Sequence, residues 1–114
     1  MKTRSLELSP RARANTEREF YRALLTLQSV DEASAFFADL CTPAELEALL
    51  DRWSVVGHLE DGLPYRRIHE LTGVSVTTIG RVARFLTGAN GGYRTALARL
   101  RPGDPATQAS QDDD

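Results

Sequence analysis

The chain is poor in the side chains on which catalysis, metal binding and covalent bracing usually depend. It has one cysteine, one tryptophan, one methionine and two histidines among 114 residues. Cys41 alone allows no intramolecular disulfide and leaves no thiolate pair for a zinc site. A thiol nucleophile would need Cys41 beside His58 or His69 with a third, orienting group, and Cys41 falls where a helix start wants an apolar staple. The stretch TGANGG has neither the lysine nor the preceding strand of a phosphate-cradling loop. No catalytic residue, metal or cofactor is therefore expected, and the chain does not read as an enzyme.

Long apolar runs are missing too. Nothing approaches the roughly 20 apolar residues that cross a bilayer. The opening MKTRSLELSPRAR is followed by neither an apolar stretch nor a small-residue cleavage site, so neither membrane insertion nor export is expected. The expected address is cytoplasmic.

What is present is charge, unevenly placed. Residues 1–30 carry six basic and three acidic side chains, net +3, and residues 31–61 carry one basic and eight acidic, net −7. Residues 62–101 carry seven arginines against Glu70 alone, net +6, and the remainder adds −4. An almost purely cationic segment inside a mildly acidic chain points to a polyanionic partner for that segment; a solvated helical face gives the same composition.

The apolar pattern is helical throughout, with no convincing strand. Ser9 before Pro10 marks a cap, and Phe20, Ala23, Leu24 and Leu27 recur at helical spacing to about Leu27. Asp31 is placed to cap a second helix striped by Ala33, Phe36, Phe37 and Leu40. In CTPAEL, Thr42 and Glu45 are spaced as a capping box, Pro43 fits the first turn and Cys41 can staple against Leu46. The helix that follows carries Leu46, Leu49, Leu50, Trp53, Val55, Val56 and Leu59 as far as Gly62. That apolar face is wider than one stripe, which predicts burial against a second subunit.

The segment LPYRRIHELTGVSVTTIGRVARFL predicts a short helix from about Pro64 to Leu71, a corner at Gly73 and a second helix from Ser75 to about Leu86. Ile68, Leu71, Val74, Ile79 and Val82 are spaced to share one contact between two steeply crossed helices, as in a helix-turn-helix over about 64–87. The second helix of such a unit enters the major groove by its N-terminal end. Ser75 caps it, Val76 can meet a thymine methyl, Thr77 and Thr78 can hydrogen-bond bases or phosphate, and Arg81 can fork onto guanine. Gly80 lets backbone approach DNA closely. Arg66, Arg67, Arg84 and Arg94 suit phosphates, where they set register without reading sequence. A last helix from about Gly92 to Leu100 should bury Tyr93, Leu97 and Leu100. Residues 1–8 read as a flexible arm, 9–101 as the helical domain, and 102–114 as a disordered acidic tail.

LCTPAELEALLDRW, the helix-turn-helix and RVARFLTGANGGYR together resemble the YerC/YecD family of Trp-repressor-related proteins, over roughly Arg18 to Leu100. The resemblance implies an all-α, six-helix, Trp-repressor-like fold and an intertwined homodimer, with the first three helices and the last of both chains forming a shared core. It also implies a possible effector pocket at Thr42, Arg52, Thr78 and Arg81. The chain departs from the repressor pattern at Val82 and Phe85, which are larger than the glycine and serine of the repressor and disfavour tryptophan as effector. The TGVS corner is also one residue shorter, which leaves Arg81 open between stacking on a ligand and reading a base. Arg52 can equally pair with an acidic neighbour, and Thr42 is explained as a cap.

The reading is a homodimeric, sequence-specific regulator of transcription, of the repressor kind, that binds double-stranded DNA with or without a small-molecule effector. The alternative is a non-enzymatic dimeric helical adaptor whose arginine face binds RNA or another protein.

Overall fold

A computed structural model of the chain describes residues 8–103. The expected N-terminal arm before Leu8 and the expected acidic tail after Gly103 lie outside the described residues. The described residues form helices α1 (Pro10–Leu24), α2 (Val30–Leu40), α3 (Pro43–Ser54), α4 (Val56–Glu60), α5 (Tyr65–Thr72), α6 (Val76–Leu86) and α7 (Gly92–Leu100), with no strand among them. The chain divides into two compact units, one ending at Pro43 and the other starting at Ala44.

In the first unit α1 opens as its sequence suggests. Pro10 occupies the first turn and the Ser9 hydroxyl accepts the amide of Ala12 at 3.1 Å. The helix stops at Leu24, short of the expected Leu27. Thr26 and Leu27 turn their amides onto the carbonyls of Ala23 and Leu24, three residues back, and the Thr26 hydroxyl donates to the Ala23 carbonyl at 2.6 Å. The cap of α2 is Ser29 rather than Asp31. Ser29 Oγ accepts the Glu32 amide at 3.0 Å while Glu32 Oε1 accepts the Gln28 amide at 2.8 Å, a reciprocal pair that leaves Asp31 in the first turn to complement the helix dipole. Phe20 and Phe36 bring α1 and α2 together with ring centroids 6.3 Å apart. Neither helix has a buried side chain.

In the second unit the long helix expected up to Gly62 is broken at Val55, so the six expected helices become seven segments among the described residues. The Val55 amide reaches the carbonyl of Arg52, three residues back, at 3.4 Å, and the Ser54 hydroxyl donates to the Asp51 carbonyl at 2.7 Å. A hydroxyl competing for a helical carbonyl beside two β-branched residues tightens the turn and redirects the chain. The break separates two environments: α3 has no buried residue, whereas Val55 and Val56 are fully enclosed.

The core of this unit is Val55, Val56, Ile68, Val74, Ile79, Val82, Leu86 and Leu97, with Leu59, Leu63 and Tyr93 packed against it. It joins α4 and α7 to the pair α5 and α6, so α6 rests on a body of its own. Two expected core residues lie outside. Leu71 is 48% exposed and Leu100 is 68% exposed, because the buried stripes of α5 and α7 run through Ile68 and Leu97.

Candidate nucleic-acid interface

The corner between α5 and α6 is closed by side chains from α5. Gly73 takes the left-handed backbone with φ of 76°, which a side chain would strain, and its amide returns to the His69 carbonyl at 2.8 Å. Thr72 donates its hydroxyl to the Ile68 carbonyl at 2.7 Å and accepts the Val74 amide at 3.1 Å. His69 Nδ1 meets the Val74 carbonyl at 2.7 Å. Val74 is buried between these bonds, so the entry to α6 is held by packing and by hydrogen bonds at once. Neither role was legible in the sequence. A threonine at the end of a helix and a histidine four residues before the corner carry no periodic signal.

Ser75 then starts α6. Its hydroxyl oxygen accepts the Thr78 amide at 3.2 Å and its proton goes to Thr78 Oγ1 at 3.1 Å. Thr78 thereby keeps a hydroxyl proton of its own to donate outward. Ile79, Val82 and Leu86 form the buried side of the helix. Val76, Thr77, Arg81, Arg84 and Phe85 are exposed, and Thr78 is half-buried at the edge. The hydroxyl-bearing, cationic side of α6 therefore faces away from the core. Gly80 faces inward more than expected: a Cβ built there would sit 3.8 Å from Tyr65 Cε2, so the space beside it is bounded by α5.

The arginine block is partly neutralised from within. Arg94 Nε lies 3.7 Å from Glu60, Arg101 Nη1 lies 2.9 Å from Asp61, and Arg67 lies 3.4 Å from Glu70 on its own helix. Arg94, expected on phosphate, instead ties α7 to the acidic end of α4. Arg66, Arg81 and Arg84 are exposed and make no ion pair among the described residues.

Of the residues expected to form an effector pocket, Thr42 belongs to the first unit, and Arg52, Thr78 and Arg81 belong to the second. Arg52 is half-buried on α3, and Thr78 is engaged by Ser75. Val82 is 1% exposed in the core, while Phe85 is 45% exposed and borders, with Asn90, Gly92 and Tyr93, a shallow hollow of about 340 Å³. Tyr93 also stacks at a tilt on Trp53, with centroids 6.3 Å apart. Among the described residues there is no cluster of metal-ligating side chains, and no helix is long and apolar enough to cross a membrane.

A glycine corner, a capped second helix with an outward hydroxyl and guanidinium face, and an all-helical body define a helix-turn-helix DNA-binding regulator. The chain belongs to the Trp repressor protein family, which it matches over residues 16–101. It is 37% identical over 83 residues to the uncharacterized protein YerC of Bacillus subtilis (strain 168), a match that covers 73% of this chain and 80% of that one. It is also 37% identical over 71 residues to a Trp operon repressor homolog of Vibrio cholerae serotype O1, covering 61% of this chain and 69% of that one. Among solved structures it is similar to a TrpR-like protein from Eubacterium eligens ATCC 27750. That likeness has a TM-score of 0.71 at 38% identity and covers 75% of this chain and 89% of the other. Family members are regulators rather than enzymes.

Proposed function

We propose that the chain is a sequence-specific repressor of transcription that binds double-stranded DNA as a homodimer in the cytoplasm. One observation carries the reading: the outer side of α6 presents Thr77, Arg81 and Arg84 to solvent, and neither arginine is paired with an acid among the described residues, while the opposite side of the helix is locked into the core. Such a face suits the major groove, where Val76 meets a thymine methyl, Thr77 and Thr78 offer hydroxyls, and Arg81 forks onto guanine. Arg66, Arg67 and Arg84 take phosphates and supply the salt-dependent part of the affinity.

Pairing of two chains is supported by what one chain leaves uncovered. Leu49, Leu50 and Trp53 are exposed along α3 at 40%, 59% and 38%, and α1, α2 and α3 have no buried residue. Apolar surface of that extent is covered by a partner in a stable protein. In this reading Arg81 reads a base rather than stacking on an indole, because Phe85, larger than the serine of the repressor, stands one turn beyond it on the same exposed side, and the regulator works without tryptophan.

Selection of bound duplexes from a random pool, followed by titration over a range of salt, tests the reading. A single preferred site, affinity that falls steeply with salt, and loss of binding in the Thr77→Ala, Arg81→Ala double variant with the dimer intact are expected. Undiminished binding by that variant overturns it. Retention of RNA or protein in place of duplex would favour the adaptor.

A further inference from the structure

His69 is exposed, yet its ring is not free to turn. Nδ1 lies 2.7 Å from the Val74 carbonyl oxygen, immediately before the residue that caps α6. A carbonyl only accepts, so Nδ1 carries a proton whether the ring is neutral or cationic. The one site left to gain or lose a proton is Nε2, which makes no hydrogen bond among the described residues.

The charges around it are one-sided. The first turn of α6 has no acid, and Arg81 and Arg84 follow on that helix. On α5, Arg66 is one turn before His69, and Glu70 is engaged by Arg67. On and just after α4 stand His58, Glu60 and Asp61, the two acids being engaged by Arg94 and Arg101. Arg94 and Arg99 are the charged groups of α7 itself. Every carboxylate from α4 to α7 thus has an arginine partner, and no ion pair to His69 is formed among the described residues. A DNA phosphate would supply an anion that the described residues do not place beside the ring.

We propose that His69 is a proton-linked phosphate contact of the duplex interface, with its Nδ1 bond to Val74 aiming Nε2 outward at the root of the reading helix. The proposal rests on the DNA-binding reading above. On binding, the neutral ring takes one proton from solvent at Nε2 and donates it to a phosphate oxygen. The phosphate raises the proton affinity of the ring in the complex above that in the free protein. Affinity is then greatest at acid pH and is lost as pH rises through the titration of the bound ring.

The experiment is titration of the full chain with its selected duplex at constant ionic strength, at about pH 6 and about pH 8. The wild type should lose about tenfold in affinity between the two, the effect of one pH unit of linkage. His69→Asn, whose side-chain amide can still donate to Val74 but which has no Nε2, should bind with little pH dependence and melt near the wild-type temperature. His58→Asn should keep the wild-type slope. Proton NMR of the wild-type His69 ring, with and without duplex, gives a reading that needs no variant: its titration should move to higher pH in the complex. A wild type that binds duplex equally at both pH values, a slope that survives in His69→Asn, or a ring titration that the duplex does not move each overturns the proposal while leaving DNA binding intact. A wild type that retains no duplex at either pH overturns both.

Discussion

Arg101 folds back over α4, its guanidinium lying against Gly57 and its Nη1 2.9 Å from Asp61 Oδ1. A Cβ at Gly57 would come within 2.6 Å of Arg101 Nη2, so the contact exists because position 57 has no side chain. The atom in the way is the end of a long flexible chain, which can swing aside cheaply.

Gly57→Ala is therefore expected to displace Arg101 without unfolding the protein. Helix propensity gains about 1 kcal/mol from the change, against about 0.5 kcal/mol for a half-exposed ion pair. The net effect in urea denaturation should lie between neutral and mildly stabilising. Asp61→Asn should cost about 0.5 kcal/mol alone and nothing in the Gly57→Ala background. An undiminished cost in the double variant would show that Arg101 still reaches Asp61.

The two apolar residues Ile79 and Leu71 should respond very differently to truncation. Ile79 has no exposed surface and belongs to the core of the second unit, so Ile79→Ala should cost about 3 kcal/mol. Leu71 is 48% exposed, and Leu71→Ala should cost about 0.5 kcal/mol or less. Similar costs in chemical denaturation would contradict the position of the core.

Arg66 and Arg84, exposed and without acidic partners among the described residues, are two of the phosphate contacts of the proposed interface. Each change to Ala should weaken binding to all duplexes alike and lower the slope of log affinity against log salt by about one. Arg94→Ala, which removes a guanidinium already beside Glu60, should change that slope far less. Equal slopes for all three would mean that the ion pair opens on binding.

Leu50 is the most exposed large apolar side chain of α3. Leu50→Glu places a charge where the proposed partner must pack and should weaken the dimer by about a hundredfold, read by sedimentation at micromolar protein. The core around Ile68 and Ile79 is remote from this change in composition, so helical content should stay. An unaltered mass would place the pairing surface elsewhere.

Much of the fold was legible because it is written locally. Pro10 after Ser9, Gly73 at the corner and Ser75 two residues later act within one turn of chain, and each stands as expected. The break at Val55 was not legible, since a continuous and an interrupted helix show the same sequence of leucine, tryptophan and valine. Periodicity identified an apolar side of α5 and α7 but could not say that Leu71 and Leu100 lie beyond its edge. The arginine count overstated the free charge because Arg101 meets an acid 40 residues away, a distance over which sequence pattern is silent. Of the candidate interface, the outward set Thr77, Arg81 and Arg84 followed from helical spacing alone. The clasp made by His69 and Thr72 depends on where two side chains turn, which no residue spacing dictates.

The turn at Val55 also bears on how such a protein changes over time. Because the uncovered Leu49 and Leu50 precede it and the enclosed core begins with it, under the proposed function substitutions that alter whom the chain pairs with fall on one stretch, and substitutions that alter what α6 recognises fall on another. If the proposed pairing and DNA reading hold, a descendant can acquire a new operator while keeping its old twin, or exchange twins while keeping its operator.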